Sequence, residues 1–199
     1  MFVDRTTKAE FRRTVLAARR LTSPEQRRAE ADALREHLPA LVCAGQTVCA
    51  YVPVGSEPGS PAMLDALVAL GTRVLLPVAR EDEAGVPQPL QWGEYRSDTL
   101  VDAPFSLREP AQPFLDAETV AAAAVILVPA LAVDLAGVRL GRGAGFYDRS
   151  LGWADPAAKL VAVVRDDELV DWLPGEEHDV RMTHALTPAR GLVTLGEGD

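Results

Sequence analysis

The stretch that decides the fold is residues 47–78. It opens with Thr47-Val48-Cys49-Ala50-Tyr51-Val52, passes through Pro53-Val54-Gly55-Ser56-Glu57-Pro58-Gly59, and continues as Ser60-Pro61-Ala62-Met63-Leu64-Asp65-Ala66-Leu67-Val68-Ala69-Leu70-Gly71. It closes with Thr72-Arg73-Val74-Leu75-Leu76-Pro77-Val78. The first run is short, apolar and free of helical periodicity, the pattern of a buried strand. The middle run has Ser60 as cap, Pro61 at the first helical position and Gly71 as stop, which predicts a helix over 61–70. The last run is another apolar strand over 73–78. Strand, helix and strand of these lengths form one β-α-β unit, which joins parallel strands.

The same alternation extends along the chain. Residues 116–123 read as helical and lead into a strand over 125–128; further strands are expected over 159–164 and 192–195. About five short Val- and Leu-rich strands interleaved with helices predict an α/β fold. The expected form is a single three-layer α/β/α domain over residues 1–199, with a mostly parallel sheet flanked by helices. Two helices precede the sheet. One starts at Lys8 and runs to about Leu21, with apolar residues at Phe11, Val15, Leu16 and Ala18. The next starts after Ser23-Pro24, where Gln26 can close a capping box, and stops near Pro39. Residues 81–113 are Pro-, Gly- and Gln-rich and read as hairpins and loops over one end of the sheet.

A chain of 199 residues, 48% hydrophobic, supports one substantial core. The net charge of −9 argues against sequence-independent binding to nucleic acid, which needs a basic face. The N-terminus lacks the apolar core of an export signal. The longest apolar run, residues 120–132, contains a proline and falls short of a membrane span. Cys43 and Cys49 lack metal or redox spacing and read as small buried hydrophobes. The expected setting is soluble and cytoplasmic, with neither nucleic acid nor membrane as partner.

One segment stands out chemically: Val138-Arg139-Leu140-Gly141-Arg142-Gly143-Ala144-Gly145-Phe146-Tyr147-Asp148-Arg149. Glycines at alternate positions let backbone approach a ligand closely. The residues from Phe146 onward can start a helix whose free N–H groups would face that ligand. Three arginines within eleven positions of an acidic protein suit a multiply charged anion. The segment matches neither the dinucleotide fingerprint nor the lysine-bearing phosphate loop. Taken alone, it reads either as an anion site or as a tight loop with solvated arginines.

Together with Val128-Pro129-Ala130-Leu131-Ala132-Val133-Asp134 and Gly137, this segment resembles the signature of the 5-formyltetrahydrofolate cyclo-ligase family. Weaker anchors follow in order along the chain. They are Lys8 and Arg12, Tyr51-Val52-Pro53 with Glu57, Leu76-Pro77, Glu109-Pro110, His178-Asp179 and Thr183. Arg142, Ala144 and Phe146 stand where the family often carries Tyr, Gly and Tyr. The resemblance implies an ATP- and Mg2+-dependent closure of 5-formyltetrahydrofolate to 5,10-methenyltetrahydrofolate, with ATP and the folate as partners.

Site roles follow from that resemblance. Lys8 and Arg12 would grip ATP phosphates, and Lys8 and Arg142 would act in the transfer itself. Arg139, Gly141, Arg142, Gly143, Ala144, Gly145, Phe146, Tyr147 and Asp148 would form the ATP site, with Arg149 in support. Tyr51, Val52 and Glu57, with Gly143, Ala144, Gly145, Phe146 and Tyr147, would hold the folate. Trp92 is a further candidate wall for its flat ring. Asp148 and Asp179 would ligate magnesium, which commonly takes one or two carboxylates plus water and phosphate. Each residue also has a plainer reading, as helix cap, solvated charge or turn residue. Competing functions are a cyclo-ligase for another N-formyl amine, a folate-binding protein without turnover and, on fold analogy alone, a sugar-phosphate isomerase.

Overall fold

The computed structural model describes residues 7–97, 99–104, 108–176 and 179–196. Three helices come first: α1 (Lys8–Leu21), α2 (Pro24–Glu36) and α3 (Leu38–Leu41). Then follow β1 (Thr47–Cys49), α4 (Pro61–Ala69), β2 (Arg73–Val78), β3 (Gln91–Glu94), β4 (Leu100–Asp102) and β5 (Arg108–Pro110). The second half holds β6 (Ala123–Pro129), β7 (Ala132–Asp134), β8 (Arg139–Leu140), α5 (Phe146–Ser150), β9 (Lys159–Val163), β10 (Leu169–Val170), β11 (His184–Thr187) and β12 (Gly191–Thr194).

The central sheet has seven strands in the order β12-β11-β9-β6-β1-β2-β3. The five inner strands are parallel, and β3 and β12 run antiparallel at the two edges. Numbered along the chain, the parallel strands lie in the order 2-1-3-4-5. The winding therefore reverses between β1 and β6. At such a switch point the connections leave toward opposite faces and open a crevice beyond the carboxyl ends of the strands.

Strand alternation sorts the core onto two faces. Val48, Val74, Leu76, Val125, Leu127, Val161 and Val163 pack against Leu34, Leu38, Leu41, Met63, Leu64 and Leu67 from α2–α4. Cys49, Leu75, Ile126, Val128, Leu160 and Ala162 face the other way, toward Trp92, Val120 and Leu151. Fully burying each such side chain contributes roughly 1.5–3 kcal/mol. The fold is thus α/β, with a large, mostly parallel sheet flanked by helices. A small sheet, β10-β7-β8, lies beside it. The stripe Phe11, Val15 and Leu16 of α1 covers this second sheet through Leu131, Ala132, Val138 and Leu140. No helix among the described residues is long and apolar enough to cross a membrane.

Several local expectations are revised. β1 ends at Cys49, although the Ala50 N–H still donates to the Leu75 carbonyl at 2.8 Å. The α2 capping box is half made. Ser23 Oγ accepts from the Gln26 N–H at 3.1 Å, but the Gln26 side chain donates to Glu30 at 3.0 Å. The full reciprocal box sits at α1, between Thr7 and Glu10. Pro39 does not end α2; it lies in the first turn of α3. Residues 117–122 form a 3-10 helix. Gln91–Glu94, within the region expected as hairpins and loops, pairs with β2 as an edge strand, and β11 was not anticipated at all. Cys43 is exposed rather than buried.

Candidate active site

The crevice at the switch point holds a cavity of roughly 380 Å³, within the usual range for small-molecule sites. Its floor is the carboxyl ends of three adjacent strands: Tyr51 and Val52 after β1, Pro77 at the end of β2, and Pro129 at the end of β6. The glycine loop forms one wall. Arg139, Gly141, Arg142, Gly143, Ala144, Gly145, Phe146, Tyr147 and Asp148 all line the cavity, as does Glu57. Twelve of the fifteen residues expected at the site therefore border one space, whereas Lys8, Arg12 and Asp179 lie outside its lining.

The loop's shape depends on two glycines. Gly143 has φ +103° and Gly145 φ +79°, backbone settings that side-chain-bearing residues rarely adopt. Gly145 caps α5, and the Arg149 guanidinium returns to donate to its carbonyl at 3.1 Å. From the other side, Arg12 Nε donates to the Gly141 carbonyl at 2.9 Å. Arg12 is thus a buttress of the loop from α1, one turn from Lys8. Lys8 Nζ reaches Asp179 at 3.0 Å and Glu176 at 3.3 Å. Burial works to lower the Lys8 ammonium, but the hydrogen bonds and charges of Asp179 and Glu176 more than offset it and hold its pKa above the ordinary value.

Within the cavity the charges are paired across elements. Arg142 Nε donates to Glu57 Oε1 at 3.1 Å, linking the loop to the turn after β1. The other Glu57 oxygen accepts from the Val54 N–H at 3.0 Å, which fixes the carboxylate's direction. Arg139 donates to Asp148 Oδ1 at 2.6 Å and lies over the Tyr147 ring, 5.7 Å from its centroid. The Tyr147 hydroxyl and Arg139 Nε are buried with no hydrogen-bond partner among the described residues. Burial, reinforced by the Glu57 carboxylate, pushes the phenols of Tyr51 and Tyr147 well above the ordinary range, so both stay protonated. Tyr51 donates to the Pro58 carbonyl at 2.7 Å and so shapes the turn bearing Glu57.

Asp148 and Asp179 are held by different cations, Arg139 and Lys8, and only Asp148 lines the cavity. Among the described residues no three His, Cys, Asp or Glu side chains gather in a metal-binding group. Trp92 is corrected: it is fully buried, donates to the Ala117 carbonyl at 3.2 Å and does not border the cavity. His178 lies outside the described residues. Glu109, which carried no derived role, accepts a bidentate pair from Arg80 at 2.6 and 2.7 Å. Sequence reasoning missed Ala79, Glu81, Leu90 and Arg108, which also line the cavity. Each comes from the segment after β2, where no periodic pattern marks a site.

Comparison with known proteins identifies the family. The family model described as the 5-formyltetrahydrofolate cyclo-ligase family matches residues 4–188. A protein of Mycolicibacterium smegmatis named 5-formyltetrahydrofolate cyclo-ligase is 62% identical over 189 residues, covering 95% of this chain and 97% of its own. One of the same name from Escherichia coli K12 is 30% identical over 175 residues, covering 86% and 95%. Among solved structures, the Aquifex aeolicus 5,10-methenyltetrahydrofolate synthetase superposes with a TM-score of 0.77 at 23% identity, covering 96% of this chain and 94% of that one. The Mycoplasma pneumoniae 5,10-methenyltetrahydrofolate synthetase gives 0.68 at 17%, covering 89% and 96%. At these identities the two structures speak for the fold alone. The sequence matches go further: this chain belongs to the 5-formyltetrahydrofolate cyclo-ligase family.

Proposed function

We propose that this chain, working as a single domain over residues 1–199 in the cytoplasm, converts 5-formyltetrahydrofolate and ATP into 5,10-methenyltetrahydrofolate, ADP and phosphate. The formyl group on N5 is amide-like and a poor electrophile. Transfer of the ATP γ-phosphoryl group to its oxygen turns that oxygen into a leaving group. N10 then attacks the formyl carbon, the five-membered ring closes, and phosphate departs with the former formyl oxygen. The protein's task is to hold two substrates in line and to offset charge on the moving group.

The observation that carries this reading is the 3.1 Å contact between Arg142 and Glu57. It joins the anion-binding loop to the carboxylate best suited to the donor edge of a pterin. A triphosphate on the loop and a pterin on Glu57 would then be immediate neighbours. Arg142 would meet the transferring group, and Lys8, with Arg12 behind the loop, would steer the phosphates. Gly141, Gly143, Ala144 and Gly145 would present backbone to both substrates. Arg139, stacked on Tyr147, would serve the triphosphate, while Tyr51, Val52 and Phe146 would flank the folate.

The residues also fit magnesium. Asp148 lines the cavity with a half-exposed carboxylate, and Asp179 supplies hard oxygens near the Lys8 end of α1. Magnesium commonly takes one or two carboxylates and completes its shell with water and phosphate oxygens. When bound, magnesium would neutralise part of the triphosphate charge.

The test is direct. Purified protein mixed with 5-formyltetrahydrofolate and Mg-ATP should generate the absorbance of the methenyl product. Folded protein that yields none above a no-enzyme control overturns the proposal.

A further inference from the structure

The glycine loop, β1 and β6 define one side of the cavity, and the proposed function occupies that side with triphosphate and pterin. The rest of its lining comes from the end of β2 and the segment after it: Pro77, Ala79, Glu81, Leu90 and Arg108. Among the described residues outside 139–148, Arg108 is the one cation in the cavity lining.

Arg108 is delivered there by the hairpin of β4 and β5, which packs against β2 and β3 at the sheet edge. The hairpin is anchored from below. Its Glu109 is buried and held by Arg80 at 2.6 and 2.7 Å, and Arg80 in turn lies over the Phe114 ring at 5.3 Å. This pairing consumes the Glu109 carboxylate, so it does not neutralise its neighbour. Arg108 Nη2 donates to the neutral Leu100 carbonyl at 3.0 Å. No carboxylate among the described residues forms an ion pair with Arg108. A guanidinium with four further N–H groups thus borders the same cavity as the loop and Glu57, whose lining also includes the apolar side chains of Pro77, Ala79, Leu90 and Pro129.

A folate has the matching layout. Its pterin is followed by a flat, apolar aminobenzoyl ring and then by glutamate, which carries two carboxylates. We infer that Arg108 is a specificity-determining residue that binds a carboxylate of the substrate's glutamate tail. This inference rests on the proposed folate activity.

The experiment compares 5-formyltetrahydrofolate with 5-formyltetrahydropteroate, which is identical but lacks the glutamate. Wild-type enzyme should prefer the former in kcat/KM. In Arg108→Gln that preference should fall about five- to tenfold, chiefly through KM for the glutamate-bearing substrate. Arg108→Lys should recover part of it. An unchanged preference in Arg108→Gln overturns the inference, as does an equal loss on both substrates, which is what a merely structural role would give. A measurement on the wild type alone guards against misfolded variants. p-Aminobenzoylglutamate should inhibit more strongly than p-aminobenzoate, and equal inhibition overturns the inference. Wild-type enzyme inactive on both substrates would instead sink the folate reading on which it stands.

Discussion

The guanidinium of Arg19 meets the carboxylate of Glu168 at 2.6 and 2.7 Å, and its Nη2 also donates to the Ala130 carbonyl at 2.7 Å, next to the cavity-lining Pro129. Both side chains are almost wholly buried. The pair bolts α1, which carries Lys8 and Arg12, to the end of β6 at the switch point. Removing one partner leaves a buried charge unopposed, which costs about 3–5 kcal/mol. Glu168→Ala should therefore lower unfolding free energy by about 3 kcal/mol or more in urea titration. A loss below about 1 kcal/mol would show that the pair is dispensable.

Arg142 is more exposed than Arg139 and faces Glu57 across the cavity. In the proposed function its charge serves the ligand rather than the core. Arg142→Ala should leave Tm within a few degrees of wild type while kcat falls about a hundredfold, the scale of losing one donor to a developing charge. A thermal melt reads the first, and steady-state formation of the methenyl product the second. A variant that changes only KM for ATP would move Arg142 from the transferring group to simple nucleotide binding.

Much of this arrangement was legible beforehand. β2 and α1 have the predicted bounds because their signals are strong: an unbroken apolar run in one, a clean helical stripe in the other. The glycine loop stood out by composition, which left an anion site and a tight loop with solvated arginines both open; its place along the cavity came from the fold. β11 was not legible, because His184-Ala185-Leu186-Thr187 is short and polar at both ends; pairing with β9 and β12 makes it a strand. Arg12 illustrates a subtler limit. Its helical spacing from Lys8 was visible, but its bond to the Gly141 carbonyl joins residues 129 positions apart and depends on tertiary packing. Trp92 failed in the opposite sense: an aromatic ring that pattern alone cannot assign went to the core beneath β3.

His184 makes acid sensitivity predictable. Burial, then the nearby Lys159 charge, lowers its pKa below 6.5. A depressed histidine favours the neutral form in the folded state. Its contribution is fully present above the unfolded pKa and is lost as pH falls through that value toward the folded one. Calorimetry of wild type and His184→Gln between about pH 7.5 and 5 should show the wild-type advantage shrinking on acidification. A difference in Tm that stays constant over this window would remove His184 as the cause.

Tyr147 separates stability from function. Its ring packs under Arg139 and against the core, but its buried hydroxyl has no hydrogen-bond partner among the described residues. An unsatisfied polar group contributes nothing to the fold and carries a desolvation cost of about 1–3 kcal/mol. Tyr147→Phe keeps the ring and removes that group, so its thermal stability should equal or exceed that of wild type. If the hydroxyl serves a ligand in the cavity, kcat/KM should fall about tenfold at the same time, the scale of one hydrogen bond. A variant that melts earlier would mean that the hydroxyl is bonded in solution. One with full activity would mean that no ligand uses it.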